Sequence, residues 1–137
     1  MLFRSTLRLD SQTIGNAGGN ITANGGTVTL NSTVVNGGTL NSTGGGTLQT
    51  IAGGSATLNG VTLSSGSTYT TGNGSDTFVS GTITNNGTFQ FNTTTGNSIL
   101  GLNANTMLTG GGTITLKRGH WRSHYPTAGR RADPDQL

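Results

Sequence analysis

A period of about 20 residues is the feature that most constrains what this chain can fold into. The segments GGTVTL (Gly25 to Leu30), GGTLQT (Gly45 to Thr50), GSTYT (Gly66 to Thr70), GTFQF (Gly87 to Phe91) and GGTITL (Gly111 to Leu116) repeat one pattern. Their central apolar residues, Val28, Leu48, Tyr69, Phe89 and Ile114, follow at steps of 20, 21, 20 and 25. Leu7 and Leu9 lie 21 residues before Val28 and Leu30 and extend the series backwards. A second lane runs Ile14, Val34, Ala56, Phe78, Ile99, and a third Ile21, Leu40, Val61, Ile83, Leu102, with steps of 19 to 22.

Three lanes on one period mean three short strands in each coil. The sequence therefore predicts an all-β chain, a right-handed parallel β-solenoid (β-helix) with three short strands per coil of about 20 residues and about five coils. Residues 1–116 form this segment, the repeat itself running from Ser5 to Leu116. In Thr27-Val28-Thr29-Leu30 the apolar side chains point inward and the threonines outward, as a period of two requires. Corners are expected at Gly37-Gly38, Gly53-Gly54 and Asn85-Asn86, residues that tolerate positive φ. The 25-residue step before Ile114 implies an insertion near Leu108 to Gly112; an alternative register places Met107 in that lane, 18 residues after Phe89.

Composition fits a thin interior. Hydrophobic residues make up 29% and charged residues 8%, while Gly, Thr and Asn occupy 25, 27 and 14 positions. Between Ser11 and Leu116 the sole charged side chain is Asp76, and no proline interrupts. Disordered chains of low hydrophobicity are usually rich in charge and proline, so this composition points instead to β-structure held largely by backbone hydrogen bonds. Cysteine is absent, which excludes disulfide staples. The start MLFRSTLRLD has no apolar run long enough for a signal peptide, and no stretch of the chain is long and apolar enough to span a membrane as a helix. Met1 reads as a fragment boundary or an internal start.

After Leu116 the composition changes abruptly. Residues 117–137 hold both prolines, both histidines, the only Trp and five of the seven basic residues. They have no lane partners and read as a disordered basic tail, a flexible extension or a different reading frame. Lys117, Arg118, Arg122, Arg130 and Arg131, with Trp121 and Tyr125 interleaved, are too sparse and too interrupted by aspartate to predict nucleic-acid binding. His120 and His124 have the i, i+4 spacing of a metal pair but no third ligand, so no metal and no cofactor is expected.

Nor is an enzyme expected. Glycan-cleaving β-helices need clustered carboxylates, and this repeat offers Asp76 alone, read as a corner residue bonded to its own backbone. No histidine stands in the repeat to activate a serine, and the glycine clusters at Gly44 and Gly110 lack the lysine of a phosphate loop. A fragment of a carbohydrate-active β-helix is the third reading of the chain. The outward threonines carry the sharper expectation: Thr27, Thr29, Thr47, Thr68, Thr70, Thr88, Thr113 and Thr115 form a flat surface-contact ladder, interrupted by Gln49 and Gln90. Flat Thr-x-Thr arrays resemble the ice-binding faces of insect antifreeze solenoids, which makes ice binding the second reading.

Segments such as NGGTLNSTGGGTLQT, SGTITNNGTFQFN and LTGGGTITL resemble the passenger repeats of autotransporter and filamentous-haemagglutinin-type exoproteins of Gram-negative bacteria. The resemblance covers nearly all of Ser5 to Leu116 and none of the tail. It implies secretion through an outer-membrane barrel, an extracellular or cell-surface location as part of a larger parent, and a role in adhesion. The partners it implies are glycans or surface proteins of host or neighbouring cells. The first reading is thus a structural and interaction segment of an adhesin-like protein. A solenoid without polar caps exposes strand edges, so end-to-end self-association is also expected.

Overall fold

The computed structural model describes residues 5–103 and 105–117, with sixteen strands and, among those residues, no helix. No helix, therefore, is long and apolar enough to cross a membrane among the described residues. Residues 1–4 and the tail expectations for 118–137 lie outside the described part, as does the side chain of Lys117.

The strands return to three parallel sheets in strict rotation. Sheet A contains β1 (Thr6–Asp10), β4 (Thr27–Asn31), β7 (Thr47–Thr50), β10 (Thr68–Thr71), β13 (Thr88–Asn92) and β16 (Thr113–Lys117). Sheet B contains β2 (Thr13–Gly15), β5 (Thr33–Asn36), β8 (Ser55–Asn59), β11 (Asp76–Ser80) and β14 (Ile99–Leu102). Sheet C contains β3 (Asn20–Asn24), β6 (Thr39–Thr43), β9 (Thr62–Leu63), β12 (Thr82–Asn85) and β15 (Met107–Thr109). Every neighbouring pair is parallel. The chain is a β-solenoid of about five turns, with about three strands per 21-residue coil. At roughly 4.8 Å per coil the stack is about 25 Å long.

Sheet A has the expected register. Leu7, Val28, Leu48, Tyr69, Phe89 and Ile114 lie side by side across its six strands. Ile114 therefore takes the last place, and Met107 stands beside Thr82 in sheet C.

The other two lanes need correction. In sheet B, Ile14 pairs with Val35, not Val34, and the row continues through Leu58, Val79 and Leu102. Val34 and Phe78 stand in the next row with Thr13, Thr57 and Gly101, which faces outward. Ala56 pairs with Thr33 and Thr77, and Ile99 with Asp76. In sheet C, Ile21 pairs with Leu40 as expected, but Leu40 pairs with Leu63 rather than Val61, while Ile83 pairs with Leu108; Leu102 belongs to sheet B. The alternation of facing decides these rows: Val35, Leu58 and Val79 are fully buried between half-exposed or exposed neighbours.

The extra residues of the last coil are also displaced from their expected position. Residues 107–109 form β15, and the surplus lies in the six-residue connection 93–98 and the four-residue connection 103–106. Asn73 holds the longer one, its Oδ1 accepting from the amides of Thr94, Thr95 and Gly96 at 2.8, 3.1 and 3.0 Å.

Gly37, Gly38 and Gly53 take positive φ at their corners, as expected. Gly38 has no alternative, since a methyl group there would collide with the Asn16 carbonyl oxygen. Asn85-Asn86 does not share this conformation. Asn85 ends β12 buried, its Nδ2 donating to the Thr113 carbonyl at 3.0 Å and its Oδ1 accepting from the Gly87 amide at 3.1 Å. Among the described residues, the positive-φ residues other than glycine are Ser11, Ser32 and Asn105.

Candidate functional site

Strand parity builds two different hydroxyl arrays, one outside and one inside. On the outer face of sheet A, one row runs Thr6, Thr27, Thr47, Thr68, Thr88 and Thr113, one threonine from every strand. Parallel pairing places these at intervals of roughly 4.8 Å along the solenoid axis. The second outward row reads Arg8, Thr29, Gln49, Thr70, Gln90, Thr115. Both glutamines thus fall in the second row and leave the first unbroken.

Exposure along the ladder is uneven. Thr113 and Thr115 are exposed, and Thr27, Thr47, Thr68, Thr70 and Thr88 are half-exposed. Thr29 is only 4% exposed: it lies between Arg8 and Gln49, and Gln49 Nε2 donates to its Oγ1 at 3.2 Å. A ligand lying on this face would meet Gln49 before Thr29.

The described residues carry little charge on this face. Arg8 Nε bonds Asp10 Oδ1 and Oδ2 at 2.9 and 2.8 Å, and Asn31 Nδ2 donates to Asp10 Oδ1 at 2.9 Å. The Asn31 hydrogen bond, then the Arg8 guanidinium, hold the Asp10 carboxyl below its ordinary value. Asp76 opens β11 instead of lying at a corner, its amide donating to the Gly54 carbonyl at 3.0 Å. Among the described residues no three His, Cys, Asp or Glu side chains gather as metal ligands would.

The inner array escaped the sequence reading, which sent threonines outward. Thr50 and Thr71 follow Leu48 and Tyr69 by two residues and share their facing, in the row of Leu9, Leu30, Phe91 and Leu116. Thr77 reaches them from sheet B. Thr50 Oγ1 lies 2.7 Å from the Tyr69 hydroxyl and 2.8 Å from Thr77 Oγ1, which lies 2.8 Å from Thr71 Oγ1. All four residues are at most 1% exposed. Burial pushes the Tyr69 phenol above its ordinary value, with the Thr50 hydrogen bond opposing this in part. The array is a closed structural network beside the tilted Tyr69–Phe89 ring pair, whose centroids are 5.8 Å apart. Strand alternation applied to Thr50 and Thr71 is the signal that could have found it.

Two shallow openings lie at the ends of the stack. One is lined by Leu7, Ala23, Gly26 and Val28, and the other by Asn85, Phe89, Leu108 and Ile114.

Compared with known proteins, the chain matches no protein-family model, no curated protein and no solved structure.

Proposed function

We propose that this chain is a structural and interaction segment of a bacterial surface-exposed or secreted protein, similar to autotransporter passenger repeats, with no catalytic role of its own. The observation that carries the reading is the unbroken row Thr6 to Thr113 on a nearly uncharged parallel sheet. Such a face offers hydroxyl donors and acceptors at one spacing, suited to weak repeated contacts with neutral glycans or protein surfaces. The stacked coils supply length and rigidity without a large core.

Binding of the purified chain to a glycan array and to bacterial cells tests the contact role. Retention by wild type and loss in the Thr47→Lys/Thr88→Lys variant is expected. Equal retention of both would remove the threonine face from the proposal, and no retention of either would reduce the role to a spacer.

The same row favours a second reading, ice binding, because regular hydroxyl spacing on a flat face also suits an ordered water lattice. Thermal hysteresis by wild type, abolished in the same double variant, is the expected signature; absence of hysteresis at high protein concentration ends it.

A further inference from the structure

The terminal strands compete for one position. The described strands begin and end in sheet A, so that sheet has six strands while sheets B and C have five each. A second copy laid with β1 on β16 would leave one strand missing from each of sheets B and C. If instead β2 and β3 of the second copy continue β14 and β15, its β1 must occupy the place already filled by β16.

The two strands are near equivalents. β1 reads TLRLD and β16 reads TITLK, so that Thr6, Leu7 and Leu9 correspond to Thr113, Ile114 and Leu116. β1, like β16, pairs with one strand alone, and four of its five residues are exposed, as are Thr113 to Leu116. Among the described residues, inward-facing apolar side chains are largely exposed at both ends, with Leu7 at 55%, Leu102 at 60% and Leu116 at 72%.

We propose that this chain assembles head to tail with a second copy of itself by strand exchange, β16 of one copy displacing β1 of the next. β16 then pairs with β4 in the register β1 held, placing Ile114 on Val28, Leu116 on Leu30 and Thr115 beside Thr29. The exchange replaces one sheet A pairing by another of the same length and apolar pattern, with Lys117 taking the position at which Asp10 bonds Asn31. Its gain lies in two new pairings, β14 with β2 and β15 with β3, which put Leu102 on Ile14 and Thr109 beside Asn20. The contact is heterologous and does not close, so it propagates as a filament with fifteen strands per copy.

Strand exchange makes a prediction of unusual sign. Substituting Leu7→Asp weakens the competing β1 and raises the sedimenting or light-scattering fraction, whereas Leu116→Lys abolishes it. Simple stacking of β1 on β16 would lose association with either change. Both side chains are largely exposed, so circular dichroism should show an unchanged β spectrum in each variant.

The chain has no native cysteine, which permits a direct test of register. Parallel neighbours at about 4.8 Å are within disulfide reach. Mixed under an added oxidant, full-length T115C and T29C chains are expected to cross-link into heterodimers, and T115C with R8C to give none. Cross-linking of T115C to R8C, or a wild-type chain that stays monomeric at high concentration, overturns the proposal.

Discussion

Four hydroxyls set how far the interior of the middle coils can be altered. Thr77 stands between Thr50 and Thr71, and Thr50 also meets Tyr69, so each hydroxyl is satisfied only while its neighbour remains. Removing one buried partner leaves the other desolvated and unpaired, at a cost of about 1–3 kcal/mol. Thr77→Val, nearly isosteric, should lower stability by that amount in urea unfolding. Replacing the whole set, with Thr50, Thr71 and Thr77 as Val and Tyr69 as Phe, should cost less than Thr77→Val alone, because no orphan remains. A larger loss in the quadruple variant would mean that the network stabilises the core on its own account.

The connections and edge strands are held by single polar side chains. Asn73 fixes 93–98 through three backbone amides, and its Nδ2 donates to Thr95 Oγ1 at 3.2 Å. Asn73→Ala should cost about 1–3 kcal/mol and speed hydrogen exchange at Thr94 to Gly96. Asn73→Asp should retain that protection, since a carboxylate accepts the same three donors.

At β1 the anchor is Asp10. Its folded pKa is depressed, so its contribution is complete above the ordinary carboxylate pKa of about 3.9 and fades as pH falls through the lower folded value. An NMR titration should therefore place the Asp10 midpoint below that of an unfolded peptide. Asn31→Ala, which removes the larger cause, should raise the midpoint, and an unchanged midpoint would assign the shift to Arg8 instead. Strand existence was legible at this scale because Gly, Asn and Ser punctuate alternating segments. Register in sheet B was not, because Val34-Val35 and Phe78-Val79 each offer two adjacent apolar residues. Periodicity cannot choose which of the two faces inward. In sheet C, Val61 and Leu63 share one facing, so that Leu40 could pair with either.

A stack of coils depends on its neighbours in one dimension, and its ends have one neighbour fewer. Leu58, Val61 and Leu63 are fully buried in the middle, while the end residues Leu7, Leu102, Leu108 and Leu116 are exposed. Amide protection should therefore peak across β7 to β10 and decline towards β1 and β16, as hydrogen exchange can measure. Leu58→Ala should cost about 2–5 kcal/mol through the cavity it leaves. Uniform protection along the rod would show all-or-none cooperativity across the coils.

From the sequence alone, the repeating Gly-Thr-apolar segments determined that the chain is a parallel β-solenoid and placed the first five strands of sheet A in register, while pairing in the structure chose Ile114 over Met107 for the sixth. The segments could do so because Leu7, Val28, Leu48, Tyr69 and Phe89 each stand between polar neighbours. Tertiary structure alone decided the rows of sheet B, those of sheet C beyond Ile21 and Leu40, the placement of the last coil's extra residues and the inward turn of Thr50, Thr71 and Thr77. Those choices depend on pairing with the coils above and below: corner lengths vary from one to six residues, and a hydroxyl can enter the core only where another coil supplies its partner.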